Sequence, residues 1–237
     1  MLKHFIVRWY HQWKELLADT KFKASLFAAA GILLIAYYVN YRAALYTNSI
    51  PVLSVGDLIL DNIPTIDLSF MFTFGIYAVA LVVVLYPLIF KPEILPFTAK
   101  TVAAFILIRA FFISLTHLGA PANFFQLPQL DDQPGMFKLF YMNDLFFSGH
   151  TGFPFLAALL FWENKILRFS MIAMSVAQSF TVLFMHVHYS IDVFSAFFIT
   201  YSIFAVSDKI FNNLNLSFKR IVDNIEKKLG IKPRSVQ

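Results

Sequence analysis

Apolar positions in this chain fall in long unbroken runs, and only its two ends alternate apolar with charged residues. Near the N-terminus Leu2, Phe5, Ile6, Trp9, Trp13, Leu16 and Leu17 recur at helical spacing, with Lys3, Arg8, Lys14 and Glu15 largely on the other side. That pattern predicts an amphipathic helix in a membrane interface. Six apolar runs follow, at about Ala24–Tyr41, Leu68–Phe90, Phe97–Leu118, Phe146–Trp162, Ile166–Val187 and Ser190 to Val206 or a little beyond. A helix rises about 1.5 Å per residue and a bilayer core is about 30 Å thick, so each run is predicted to be a membrane span. Two stretches rich in Pro, Gly, Asn and Asp, 42–67 and 119–143, read as extramembrane loops, the first with one short helix. Lys91-Pro92-Glu93 with Pro96, and Glu163-Asn164-Lys165, read as tight turns. Past the last run, Leu216, Phe218, Ile221, Val222, Ile225 and Leu229 stand among lysines and predict a second amphipathic surface helix.

The expected fold is therefore all-α, a polytopic six-transmembrane-helix bundle with amphipathic N- and C-terminal surface helices. Its parts are a cytoplasmic helix over 1–23, a catalytic membrane domain over 24–211 and a basic cytoplasmic tail over 212–237. Composition agrees: 59% of the 237 residues are hydrophobic and the mean hydropathy is +0.67, well beyond a soluble domain. Residues 1–23 mix charges with apolar positions instead of forming a continuous apolar core, so the first span is expected to act as its own insertion signal. Cysteine is absent, which removes disulfides, thiolate metal sites and thiol nucleophiles and leaves the chemistry to His, Asp, Ser and Tyr.

The net charge of +5 does not indicate nucleic acid, because the basic residues gather in tails and short turns. Five Lys and Arg precede the first span, two lie in 91–100, two in 163–168 and seven beyond the last span; Arg42 and Lys138 fall on the opposite side and Arg109 inside a span. The positive-inside rule then places both termini in the cytoplasm, with the basic tails against an anionic lipid surface. In a prokaryote the host would be the plasma membrane.

Two polar clusters fall on the extracytoplasmic side of this topology, Asp144 to Thr151 and His186 to Asp192. Ionisable residues so placed in a chain this apolar are functional candidates. His188 and Asp192 are four apart, so on one helix the carboxylate reaches the imidazole, fixes its tautomer and leaves the other nitrogen as nucleophile or base. His150 opens the fourth span directly after Ser148 and Gly149, where free backbone N–H groups make an anion cradle. Arg109, about 12 residues into its span and so about 18 Å deep, suits a phosphate. These parts point to phosphoryl transfer.

Ser-Gly-His at 148–150 and His-x-x-x-Asp at 188–192 resemble the second and third motifs of the type 2 phosphatidic acid phosphatase superfamily. Asp-x-x-Phe-Ser-Gly-His-Thr at 144–151 and His-x-His-Tyr-x-Ile-Asp-Val at 186–193 resemble its sphingomyelin synthase branch, as do Arg109, Leu115 and Pro121. The likeness spans roughly residues 50–210. It implies six spans, an outer-leaflet site and a covalent phosphohistidine: His188 attacks phosphorus, Asp192 orients it and His150 protonates the leaving oxygen. The chain has no Arg-Pro dipeptide, and Val182 stands where the superfamily's third motif has arginine; the synthase branch shares both absences. Other groups must then hold the phosphate, with Arg109, Asp144, Ser148, Gly149, His186 and Tyr189 as candidates. No cofactor is implied. The substrate is a membrane phospholipid, and the acceptor is water or a ceramide or diacylglycerol hydroxyl.

Alternatives stand beside each assignment. His186 either assists the site with Asp144 or lies at the interface, and Arg109 either holds phosphate or neutralises a packing partner. A metal site from His186, His188 and Asp192 requires two imidazoles that diverge on a helix. Ser148 as an acyl-transfer nucleophile lacks the strand-to-helix elbow. Tyr141 and Tyr189 are interfacial or stack on a cationic headgroup, and Asp131 and Asp132 are solvated loop charges. For the whole protein the rivals are a lipid phosphate monoester phosphatase and a non-catalytic lipid-binding or transport protein.

Overall fold

The computed structural model describes residues 2–126 and 144–230; Asp131, Asp132, Lys138 and Tyr141 lie outside them. Among the described residues the chain is helical and contains no strand: α1 (Leu2–Ala18), α2 (Thr20–Ser49), α3 (Ser69–Phe90), α4 (Leu95–Leu115), α5 (Gly149–Leu160), α6 (Lys165–Phe184) and α7 (Ser190–Lys228), with short 3-10 turns at Leu60–Asn62 and Pro92–Ile94. Five segments, Thr20–Ser49, Ser69–Phe90, Pro92–Leu115, Lys165–Phe184 and Ser190–Phe211, are long and apolar enough to cross a membrane. The expected fourth span differs. Only Gly149–Leu160 is helical there, about 18 Å of helix; residues 144–148 are irregular and meet α4 through Arg109.

The helix ends have local causes. Asp19 caps α2 by accepting the Phe22 amide at 2.7 Å, and the helix runs past the expected Tyr41 to Ser49 because the first breaker is Pro51, which holds Ile50 extended. Pro96 stands in the first turn of α4, where its missing N–H is no loss. No Gly or Pro occurs between Ser190 and Lys228, so the sixth span and the expected separate surface helix form one 39-residue rod. It ends at Gly230, which takes the left-handed conformation, φ 67°.

Five segments meet at one end of the bundle: α1, α2, the end of α3, the α5–α6 turn and α7. Glu163, in the α5–α6 turn, pairs with Lys91 after α3 and with Lys219 of α7. The indole N–H groups of Trp9 and Trp13 both donate to the Leu88 carbonyl, at 3.0 and 3.2 Å, so α1 caps the last turn of α3. Leu16, Phe22, Phe218 and Val222 form a small core there, with the Phe22 and Phe218 rings edge to face at 5.1 Å. Lys100 is in α4 rather than a turn, and its buried ammonium donates to Ser25 at 2.8 Å. The two polar clusters lie at the opposite end.

Candidate active site

The turn from α6 to α7 brings the second cluster together. His186 adopts φ 51°, its amide bonds Leu183 O and the Val187 amide bonds Val182 O, each at 3.0 Å. This is the left-handed helix end that a Gly or Asn usually occupies, and Val182 and Val187 pack in one apolar cluster beneath it. The chain reverses at once, and Tyr189 caps α7. Asp192 Oδ2 accepts the Tyr189 amide at 2.9 Å and lies 3.4 Å from His188 Nδ1. The expected pairing therefore forms, by a different route: α7 starts at Ser190, so His188 precedes the helix and Asp192 folds back over its first turn to reach it.

The first cluster docks on that turn. Ser148 caps α5 through a 3.4 Å bond from the Thr151 amide, and its own amide donates to the Asp192 carbonyl at 3.0 Å. The N-termini of α5 and α7 thus abut, and their dipoles put partial positive charge in one place. His150, 5% exposed, stacks on Phe72 of α3 with centroids 3.9 Å apart and planes 22° apart. It lies within electrostatic reach of His188 and Arg109. Behind it, Ser175 donates to Thr151 O at 2.7 Å and Ser179 to Thr151 Oγ1 at 3.1 Å, so α6 grips the turn that carries His150.

Of the two readings of Arg109, the bonds it makes here match that of a packing partner. Its Nη1 bonds the Asp144 carboxylate at 2.7 Å, its Nη2 the Asp144 carbonyl at 2.9 Å and its Nε the Phe147 carbonyl at 2.9 Å. A guanidinium with each nitrogen so engaged neutralises a packing partner and ties the irregular 144–148 segment to α4. Asp144 is likewise committed to Arg109 and does not join His186. Gly149 permits the approach, since a Cβ there would sit 3.2 Å from Arg109 Nε.

His186 and Tyr189 serve the loops. His186 Nδ1 is 3.1 Å from Ala122 O, so this nitrogen is turned to the loop after α4. Tyr189 is 1% exposed; its hydroxyl donates to Gly119 O at 2.8 Å and accepts the Val55 amide at 3.1 Å, which leaves no open ring face for a headgroup. Asp57, in sequence only one of the polar residues of the 42–67 loop, accepts the Ser190 amide at 2.7 Å and those of Ile59 and Leu60 at 2.9 and 3.2 Å. Burial opposes its charge, but these bonds prevail and hold its carboxyl below the usual range. A cavity of about 200 Å³ beside it is lined by Asp57, Asp61, Asn123, His186 and Tyr189. Phe72 was also missed: one of 29 phenylalanines carries no mark in sequence, and a loop aspartate only a weak one.

A helical membrane protein with two histidines and a carboxylate buried where two helix N-termini meet is the class that fold and site define. Residues 143–209 match the family model described as PAP2 superfamily C-terminal. That segment holds both clusters, and the match supports the PAP2 superfamily and with it an enzyme of phosphatase or phosphotransferase type. No curated protein and no solved structure gives a significant match.

Proposed function

We propose that this protein is a lipid phosphotransferase or phosphohydrolase that works through a phosphohistidine at the extracytoplasmic face, as its resemblance to the sphingomyelin synthases implies. The observation that carries the reading is the 3.4 Å contact of His188 Nδ1 with Asp192, with His150 nearby on the abutting helix. Nδ1 turned to the carboxylate leaves Nε2 as the attacking nitrogen. It bonds to phosphorus as the bond from phosphorus to the diacylglycerol oxygen breaks, and that oxygen takes the proton of His150. The headgroup stays on His188. An entering hydroxyl, from water or a lipid such as ceramide, then returns a proton to His150 and attacks phosphorus, and the bond to Nε2 breaks.

With Arg109 engaged, the paired helix N-termini around Ser148 and Gly149 are the anion cradle. On this reading the short α5 is a sixth crossing, supported by the α5–α6 turn at the lysine-rich end and the α5 N-terminus at the histidine end. The basic residues at the lysine-rich end support a cytoplasmic side for it and for both termini. The test is turnover of phosphatidylcholine, phosphatidylethanolamine and phosphatidic acid by purified protein, each with and without ceramide. Headgroup release or transfer that disappears in His188→Ala is expected. Turnover of phosphatidic acid alone would assign a monoester phosphatase, and no turnover of any lipid would favour a binding or transport protein.

A further inference from the structure

His150 is gripped twice by one residue that the family resemblance does not mention. Phe72 lays its ring on the imidazole at 3.9 Å and 22°, and its backbone is hydrogen-bonded to the same imidazole. Both contacts favour a protonated ring, since a backbone carbonyl accepts from it and an aromatic face attracts its charge.

The placement of Phe72 is itself keyed. Gln178 of α6 is fully buried and its Nε2 donates to the Met71 carbonyl at 2.8 Å, one residue before Phe72. The close approach needs Gly75, where a Cβ would lie 2.1 Å from that Nε2. The α3–α6 contact thus fixes the height and rotation of α3 at the turn bearing Phe72. Phe72 is 5% exposed, so it is not a ring that merely faces lipid.

We infer that Phe72 is the positioning residue of the acid, holding the His150 ring aligned with His188 and favouring its protonated form; this rests on the assignment of His150 as acid given above. A general acid must carry a proton before it can deliver one. The charged and titratable groups about His150 work against that: His188 comes from the α6–α7 turn and Arg109 from α4, the latter paired with Asp144. Asp192 of α7 faces His188. α3 has no charged residue, and the charges of α6, Lys165 and Arg168, stand in its first turn at the other end. Phe72 therefore presents an aromatic face to an imidazole whose other neighbours include two cationic or titratable side chains.

The experiment compares Phe72→Leu, which keeps apolar bulk without a ring face, with Phe72→Tyr, which keeps the ring. Activity that needs a protonated acid falls as pH rises through the pKa of that acid, so a less favoured imidazolium moves the alkaline limb of kcat to lower pH. We expect the limb to move down by about one pH unit in Phe72→Leu, the tenfold equivalent of a desolvated cation–π contact, and to stay in place in Phe72→Tyr. An equal loss of kcat at every pH, with the limb unmoved, would reduce Phe72 to packing and overturn the inference. A readout free of turnover is the ¹⁵N-imidazole titration of His150, assigned by its loss in His150→Gln. A midpoint unchanged by Phe72→Leu overturns the inference even in an active enzyme, whereas wild type inactive on every lipid removes the functional reading instead. Monodisperse elution and an unchanged melting transition in both variants establish that they fold.

Discussion

His188 and Asp192 are held together by the start of a helix rather than along one: the oxygen that faces His188 Nδ1 at 3.4 Å also accepts the Tyr189 amide at 2.9 Å. One carboxylate thereby caps α7 and orients the imidazole. Asp192→Asn retains an acceptor for the cap but removes the charge that steadies an imidazolium. It should fold, with kcat lowered by about 10²- to 10⁴-fold, the usual range for acid–base assistance. Headgroup release by purified variant, beside its melting curve, decides this; near wild-type turnover would detach Asp192 from the chemistry.

Arg109 and Asp144 should behave as a structural pair. Breaking a buried ion pair from one side costs about 3–5 kcal/mol, so Arg109→Met and Asp144→Asn should each melt much earlier, and the double variant should lose less than the two losses combined. Whatever activity remains in Asp144→Asn should show an ordinary KM. A large rise in KM with stability intact would return Arg109 to the phosphate.

Asp57 supplies a pH dependence of known sign. Its carboxyl is held below its ordinary value of 3.8 by the Ser190, Leu60 and Ile59 amides despite burial. Its contribution is thus complete above about pH 4 and fades as pH falls through the lower folded value. Asp57→Ala should lose about 1–3 kcal/mol at neutral pH, and its stability should decline less steeply than wild type's as acid is added. Parallel acid titrations of the two proteins, followed by tryptophan fluorescence, read the difference; curves that stay parallel would exclude the role.

The absence of cysteine makes sidedness easy to test with single cysteines and a membrane-impermeant maleimide. Leu58 is 84% exposed at the histidine end, and Ser217 is exposed near the lysine-rich end. Leu58→Cys should label in intact cells, and Ser217→Cys only after permeabilisation. The reverse pattern would invert the topology and move the site to the cytoplasm.

The sequence by itself determined a great deal here because two of its signals are local. Apolar runs near bilayer length predict helices whatever their neighbours do, and Ser-Gly-His and His-x-x-x-Asp carry their spacing with them, so the helical membrane class and the residues of both clusters were legible. Helix ends were less legible: α2 and α7 run on to the breakers Pro51 and Gly230, past the ends their hydropathy suggests, because hydropathy marks where lipid ends and not where the last helical turn does. Tertiary structure decided the rest, since it depends on residues far apart in the chain. Arg109 meets Asp144 only because α4 and the 144–148 segment pack together, so the bonds that engage its guanidinium are not written in its own neighbourhood. Tyr189 and His186 stand beside His188 in sequence and read as site or interface residues, but neighbours in sequence do not say which way a side chain turns: the Tyr189 hydroxyl meets Gly119 and His186 Nδ1 meets Ala122. Asp57 on α7, and Phe72 on His150, join positions more than 75 residues apart; no local pattern encodes such pairs, and only the packing of the helices brings them into contact.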